Sequence, residues 1–332
     1  MIGMSAGRIL YCCCWIGHGR NLKEHSWSGM SKQEHDAAVA ELREEVSTYD
    51  KPWYRSCSEL LGRQKIQGGK CLDLCCGNGE FSHILRDKHQ MEVTCADYIP
   101  FHLQHARDQG FATLPVDIDA AAEQVDASAE PHAGKFDLVV NLAAIEHVFN
   151  SDNLLRFAHT VLKPGGFLIV NTPNIGFFAY RLYALFSGNR PFGEGHHIRF
   201  WDYRFLRTNL FLNGFTVTED ARKFYALPQD AMLRAFRNRQ RFAAMAAWFF
   251  HACRFLRHIP FLKGGCCGEL TVLAVKDEVP AIGFELNTVK RFLEEFKGAE
   301  QGRAAVARLQ EARKKGWLDE HLYLSKTVDE LI

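Results

Sequence analysis

Excess charge of one sign, paired cysteine motifs and long uninterrupted apolar runs are all scarce in this sequence. Its 332 residues carry 40 Lys or Arg against 39 Asp or Glu, a formal net charge of +1. That balance argues against a chain that coats nucleic acid over its whole surface, although it can hide local patches. Eleven Cys are scattered, some as neighbours (Cys12 to Cys14, Cys75 and Cys76, Cys266 and Cys267), with no C-x-x-C pair matched by a second. A structural zinc site is therefore not expected, and the pattern reads as reduced thiols in a cytosolic compartment. The apolar run Ile9 to Ile16 is too short to span a bilayer, and no small-residue cleavage site follows it. Acylation of the neighbouring Cys triplet is an option. The reading adopted is a disordered extension over 1–29. No internal repeat or low-complexity segment occurs. What remains, 47% hydrophobic and 24% charged residues, suits a globular protein with a full core.

Ser31-Lys32-Gln33-Glu34 is a capping-box pattern and predicts a helix running toward Val46. Asp50 to Tyr54, with Pro52, is expected to break it, so 30–69 reads as an N-terminal helical cap. Trp53 and Tyr54 are either core or part of a roof over a ligand, with core favoured. From residue 70, short apolar stretches at 70–74, 91–97, 112–116, 136–142 and 166–172 read as strands. Helical stretches near 79–88, 100–108, 119–126 and 151–162 alternate with them. Lys163-Pro164-Gly165-Gly166 is expected to stop a helix and turn into the fifth strand. A helix near 203–213 and strands at 215–218 and 269–275 bring the count to seven strands. Such alternation predicts an α/β sheet with helices on both faces.

The chemistry is organised around Cys71-Leu72-Asp73-Leu74-Cys75-Cys76-Gly77-Asn78-Gly79-Glu80-Phe81-Ser82, a strand, a glycine turn and a helix start. A turn of this kind lets backbone approach a ligand and aims unpaired helix N–H groups at it. Gly77-x-Gly79-x-x-Ser82 is close to the dinucleotide fingerprint, and Asp97 ends the next strand where an acid would hold ribose hydroxyls. Asp73, just before the turn, arbitrates. Its carboxylate would repel a pyrophosphate, whereas it suits a ligand carrying an ammonium and a sulfonium. Charge sign favours S-adenosylmethionine over a dinucleotide.

Over roughly 50–276 the chain resembles the class I S-adenosylmethionine-dependent methyltransferases. Asp73 to Gly79 is similar to that family's D-x-G-C-G-x-G turn, with Cys75 in place of the first glycine. The resemblance implies a Rossmann-like seven-stranded sheet whose last strand is antiparallel. It also implies S-adenosyl-L-methionine held by Asp73, Cys75, Gly77, Gly79, Asp97 and Tyr98, with Asp117-Ile118 at the adenine ring. Asn141, at the end of the fourth strand, is a further cofactor candidate because strand carboxyl ends line the crevice of open α/β sheets; a plain turn residue is its other reading. Ile145-Glu146-His147 resembles the E-H element of ubiquinone-biosynthesis-type O-methyltransferases, and His196 to Phe200 resembles an H-x-R-F segment of the wider group. His147 and His197 are thus candidate bases with Glu146 to orient one of them, and Arg199 a candidate anion clamp. Phe177, Phe178, Tyr180 and Tyr183 either wall an apolar acceptor pocket or are core. In some quinone-pathway relatives an acid three residues before the Glu helps bind a divalent metal. That position is Ala143, and no metal is expected.

The methyltransferase unit is expected over 70–276, with a basic insertion at 221–263. The insertion holds nine Lys or Arg against one acid, Asp230, interleaved with Phe236, Phe242, Trp248, Phe249 and Phe250. It reads either as a segment in a membrane interface or as a helical lid packed on the sheet. An RNA-binding surface is the third reading. Residues 277–332 read as a helical tail, with Val289, Phe292, Leu293 and Phe296 on one face, for packing or docking. The function expected is O-methylation of an apolar or membrane-borne small molecule. An RNA methyltransferase, a catalytically silent scaffold and a dehydrogenase are the alternatives, and nothing in the sequence speaks to oligomeric state.

Overall fold

The computed structural model describes residues 51–187, 197–222 and 265–319. The expected helix at 31–46, the extension 1–29, almost all of the basic insertion, His196 and the end of the tail lie outside the described residues. Strands β1 (Lys70–Leu74), β2 (Glu92–Asp97), β3 (Ala112–Pro115), β4 (Phe136–Leu142), β5 (Leu162–Pro173), β6 (Phe215–Asp220) and β7 (Glu269–Lys276) form one seven-stranded sheet. Its order is β3-β2-β1-β4-β5-β7-β6. β1 pairs in parallel with both β2 and β4, β4 with β5, and β7 runs antiparallel to β5 and β6. This is the predicted sheet with its antiparallel last strand.

Strand side chains alternate between faces, and each face has its own core. On one, Leu72, Leu74, Val139, Leu168, Val170 and Val272 pack under α4 (Ala122–Ala129), α5 (Ser151–Val161) and α7 (Tyr203–Leu212). On the other, Cys71, Leu138, Val140, Ile169 and Leu273 meet α1 (Pro52–Arg63), α2 (Glu80–His89) and α3 (Pro100–Asp108). Burying one such Leu or Val side chain contributes about 1.5–3 kcal/mol. Two cores on one sheet hold the strand ends, and hence the loops that follow them, in fixed places.

Pro52 opens a helix, α1, standing at its first turn where the missing N–H costs nothing; Trp53 and Tyr54 therefore lie on a helix, and the helix that Asp50 to Tyr54 was expected to end lies outside the described residues. Two local expectations are corrected. β5 begins at Leu162, not after Gly166: Lys163 to Gly166 bulge out within the strand, between the Phe136–Leu162 and Leu138–Phe167 pairings. The helix expected from 119 starts at Ala122, because residues 117–120 are used as a loop at the site. The segment after β5 continues as a helix not foreseen, α6 (Phe178–Ser187).

The tail continues the domain. α8 (Leu286–Glu295) and α9 (Glu300–Lys314) bury Phe284, Val289, Leu293, Leu309 and Ala312 against Phe211 and Leu212 of α7. Asp152 fastens it: its carboxylate accepts from Phe284 N (2.8 Å), Glu285 N (2.8 Å) and Asn213 Nδ2 (3.0 Å). Among the described residues no helix is long and apolar enough to cross a membrane.

Candidate active site

The turn after β1 is built from left-handed backbone. Gly77 and Gly79 have φ of 55° and 70°, and Cys75, where the resembled motif has glycine, has φ 61°. Gly79 N donates to Cys76 O (3.0 Å) and Cys76 N to Ala96 O (3.0 Å), which ties the turn to the end of β2. Asp97 closes the crevice: its Oδ2 accepts from Gly77 N (3.0 Å) and its Oδ1 from Ile99 N (2.9 Å), with His102 Nδ1 3.2 Å from Oδ2. Burial raises the Asp97 carboxyl, but the bond and charge of His102 and the two backbone N–H groups outweigh it, so the pKa lies below its ordinary value.

Asp73 is the opposite case. Burial lifts its carboxyl from 3.8 to about 7, against the hydrogen bond from Ser82 Oγ (2.6 Å) and with a further push from Asp97. Asn141 is fully buried; its Nδ2 donates to Leu74 O (3.0 Å), joining the ends of β4 and β1, while its Oδ1 has no hydrogen-bond partner. Asp73, Cys75, Gly77, Gly79, Asp97 and Asn141 are thus brought together by β1, β2 and β4. Tyr98 follows Asp97 and is 41% exposed beside the turn.

Asp117 and Ile118 follow β3. Asp117 Oδ1 accepts from Asp119 N (3.0 Å), and Asn153 Nδ2 holds the carbonyls of Ile118 (3.2 Å) and Ala120 (3.1 Å). Asp119 Oδ1 accepts from Phe149 N (2.8 Å) and Asn150 N (3.2 Å), so this loop is pinned to the one after β4. Asp119, Asn153, Ser82 and His102 were given no role from sequence. Each acts on a partner that only the fold brings near.

Ala143, with φ 51°, turns the chain out of β4 toward Glu146 and His147. Glu146 is buried; Thr172 Oγ on β5 donates to its Oε2 (3.0 Å), and Oε1 has no hydrogen-bond partner. Burial raises its carboxyl above the ordinary value, although His147 and the Thr172 bond pull the other way. Ile198 N and Arg199 N both donate to Glu146 O (3.0 and 3.1 Å), which sets His197 against His147 with ring centroids 4.8 Å apart. Potential donor atoms of Glu146, His147 and His197 all lie within 4.8 Å of one another.

The fold gives Arg199 another task. Its guanidinium donates to Val148 O (3.2 Å) and Phe149 O and pairs with Glu285 Oε1 at 2.9 Å. These contacts brace the loop after β4, a role beyond the anion clamp expected from the sequence. Phe177 is buried, edge-on to Phe178 and Tyr180 with centroids 5.0 Å from each. Tyr180 is partly buried; burial, then Glu269, pushes its hydroxyl up to about 12. Phe177 is interior packing, and Tyr180 lies nearer the protein surface.

A family model described as a methyltransferase domain matches residues 46–220. Ubiquinone biosynthesis O-methyltransferase of Xanthomonas oryzae pv. oryzae is 31% identical over 115 residues, 35% of this chain and 47% of that protein. The Bordetella avium protein of the same name is 31% identical over 116 residues, 35% of this chain and 46% of its own. The match therefore spans about half the length of these curated relatives. Among solved structures, a Haloferax volcanii protein in complex with a methyltransferase activator aligns with TM-score 0.49 at 18% identity, covering 74% of this chain and 98% of that one. An S-adenosylmethionine-dependent methyltransferase from Thermotoga maritima aligns with TM-score 0.48 at 15% identity, covering 74% and 99%.

Proposed function

The chain belongs to the methyltransferase-domain family, within the class I S-adenosylmethionine-dependent group, and from that premise we propose that it methylates an oxygen of an apolar small molecule, a quinone precursor or a lipid-linked compound. The observation that supports the oxygen acceptor is the meeting of Glu146, His147 and His197 past the carboxyl end of β4, the strand next to β1. The curated O-methyltransferases at 31% identity support the same reading.

The residues of the crevice fit the family's cofactor. A buried carboxyl at Asp73 with a pKa near 7 is a group that a cation would stabilise, and the Asn141 Oδ1 is an acceptor that a ligand donor would satisfy. In this proposal Asp73 and the Cys75–Gly79 turn take the methionine end, Asp97 and Tyr98 the ribose, Asp117 and Ile118 the adenine. When bound, the sulfonium supplies an activated methyl carbon, and displacement requires in-line approach by a nucleophile. His147 or His197 removes the hydroxyl proton of the acceptor, and the Glu146 carboxylate favours the imidazolium that forms. Tyr180 contributes to an apolar wall on the acceptor side. Membrane contact through 221–263 is part of the same proposal and is supported by its nine cations, one acid and interleaved aromatics.

Transfer of radiolabelled methyl to a cell extract, then separated into lipid, RNA and protein, tests it. Label is expected in the lipid-soluble fraction, with a loss of about 10²-fold or more in His147→Ala or His197→Ala, the size of a general-base contribution. Label in RNA or protein alone would end the small-molecule reading.

A further inference from the structure

We propose that a cavity between α7, β6 and α9 binds an organic oxyanion, a carboxylate or phosphate carried on an aromatic body. The inference goes beyond methyl transfer and needs neither cofactor nor acceptor. The cavity has a volume of about 380 Å³ and is lined in part by Arg207, Phe211, Val217, Arg308, Lys315 and Trp317. Thr216 and Val217 on its wall stand at the start of β6, and Asp277 follows the end of β7. β7 runs antiparallel to β5 and β6, so this end of β6 faces away from the carboxyl ends of β1, β2 and β4. β6 is also the outermost strand, with β5 and β7 between it and β4. A molecule bound here is not the cofactor.

Charge decides the sign of the ligand. The wall carries Arg207, Arg308 and Lys315 against the carboxylates of Asp277 and Glu311. Both acids are taken: Asp277 pairs with Arg308 at 2.5 Å and accepts from Thr216 Oγ at 2.9 Å, and Glu311 pairs with Lys315 at 2.5 Å. Nearby, Asp220 is held by Arg222 at 2.8 Å. Arg207 is left over, without an ion pair among the described residues, and its buried Nε has no hydrogen-bond partner. Burial pulls its pKa below the ordinary value, with Arg204 and Arg222 adding to the effect and Tyr203 opposing it. A guanidinium that loses water without gaining a partner costs free energy, and an arriving anion recovers that cost.

Shape decides the rest. The Arg207 guanidinium carbon lies 4.0 Å from the centre of the Trp317 ring and 5.6 Å from that of Tyr203. Lys315 Nζ lies 4.7 Å from Trp317 and 5.4 Å from Phe211, whose rings meet edge-on with centroids 5.2 Å apart. A guanidinium is a planar fork of donors that suits two oxygens of one carboxylate or phosphate. The volume falls within the range of small-molecule sites, roughly 300–1,000 Å³, and so has room for more than a bare ion. Phe211 and Trp317, with Val217 and Val279, give that remainder an apolar wall on which an aromatic ring can pack.

Calorimetric titration of the full chain with phenyl phosphate, benzoate, benzamide and inorganic phosphate tests this. At least one of the two aryl anions is expected to bind at one site per chain, and the tighter of them tells phosphate from carboxylate. Uncharged benzamide and inorganic phosphate are each expected to bind about 10-fold more weakly or worse, since one lacks the charge and the other the ring. Arg207→Met keeps the stem and removes the charge. It is expected to weaken the tighter aryl anion by about 10- to 100-fold, the size of a charge-assisted bond. Without ligand, the same variant is expected to unfold at the parent's urea midpoint or above it, because the burial cost is gone. No saturable binding of either aryl anion, equal binding of benzamide or inorganic phosphate, undiminished affinity in Arg207→Met, or a lowered urea midpoint for that variant would each overturn the proposal. Methyl transfer stands or falls separately, since Arg207 lies outside the crevice.

Discussion

At Cys75 the backbone has φ 61°, a conformation glycine takes freely and other L residues at a cost of roughly 1–2 kcal/mol. The thiol recovers part of that cost by packing against the core on the α5 side. Cys75→Gly is therefore expected to shift stability by less than about 1 kcal/mol, because greater chain entropy in the unfolded state offsets relief of strain. Cys75→Val, branched at Cβ, is expected to lose about 2 kcal/mol and to weaken cofactor binding; urea denaturation and calorimetry measure the two. Asp73 makes a prediction in pH. Its carboxyl rises from 3.8 to about 7 on folding, so the folded state binds this proton more tightly than the unfolded chain does. The stability it contributes is full below pH about 4 and falls away as pH rises through about 7. A cationic ligand reverses the preference. S-adenosylmethionine affinity is expected to rise between pH about 5 and about 7 with release of close to one proton, and to lose that dependence in Asp73→Asn. Calorimetry in buffers of different ionisation heat reads the proton directly, and a flat profile in the parent protein would remove Asp73 from the ligand.

Elements meet at the loop after β4, which is held from three directions. Asp119 takes the N–H groups of Phe149 and Asn150, Arg199 the carbonyls of Val148 and Phe149, and Asp152 at the start of α5 fastens the residues leading into α8. These bonds differ in worth. The Arg199–Glu285 pair is partly exposed on the Glu285 side, 43%, so Glu285→Gln should cost less than about 1 kcal/mol. Arg199→Leu should cost about 2 kcal/mol, since Val148 and Phe149 lose their donor. Asp152→Ala, which strips three donors of a buried acceptor, should cost about 3 kcal/mol or more. Denaturant midpoints rank the three, and a Glu285→Gln loss as large as either of the others would mean that the exposed ion pair matters as much as the backbone bonds.

For the whole molecule, the tail and the sheet share one stability. Phe284, Val289, Leu293 and Leu309 bury against α7, which itself packs on the core beside β6. Leu309→Ala is expected to cost about 2–5 kcal/mol, within the range for a buried leucine. Hydrogen exchange should show that loss reaching the amides of β6 and β7, and an effect confined to α8 and α9 would show that the tail unfolds alone. The sheet order, β3-β2-β1-β4-β5-β7-β6, puts the carboxyl ends of β1, β2 and β4 side by side. Asp73, Asp97 and Asn141 converge for that reason.

Some of this was readable from the chain itself, for a local reason. Alternation of apolar strands with helical stretches, glycines where φ must be positive and an acid at the end of β2 are all set by neighbouring residues, so the sheet, the turn and the choice of cofactor could be read before any coordinates. Local reading faltered where a turn signal serves inside a strand: Lys163 to Gly166 bulge within β5. The rest depended on partners far apart in sequence. Nothing near Arg199 announces Val148, Phe149 or Glu285, and nothing near Glu146 announces Thr172 or His197. A charge or a carboxylate has no fixed task until folding selects its neighbours and removes its water. The sequence by itself determined the fold and the family of the cofactor; the tertiary structure alone decided that Arg199 braces a loop and that Glu146, His147 and His197 share a site.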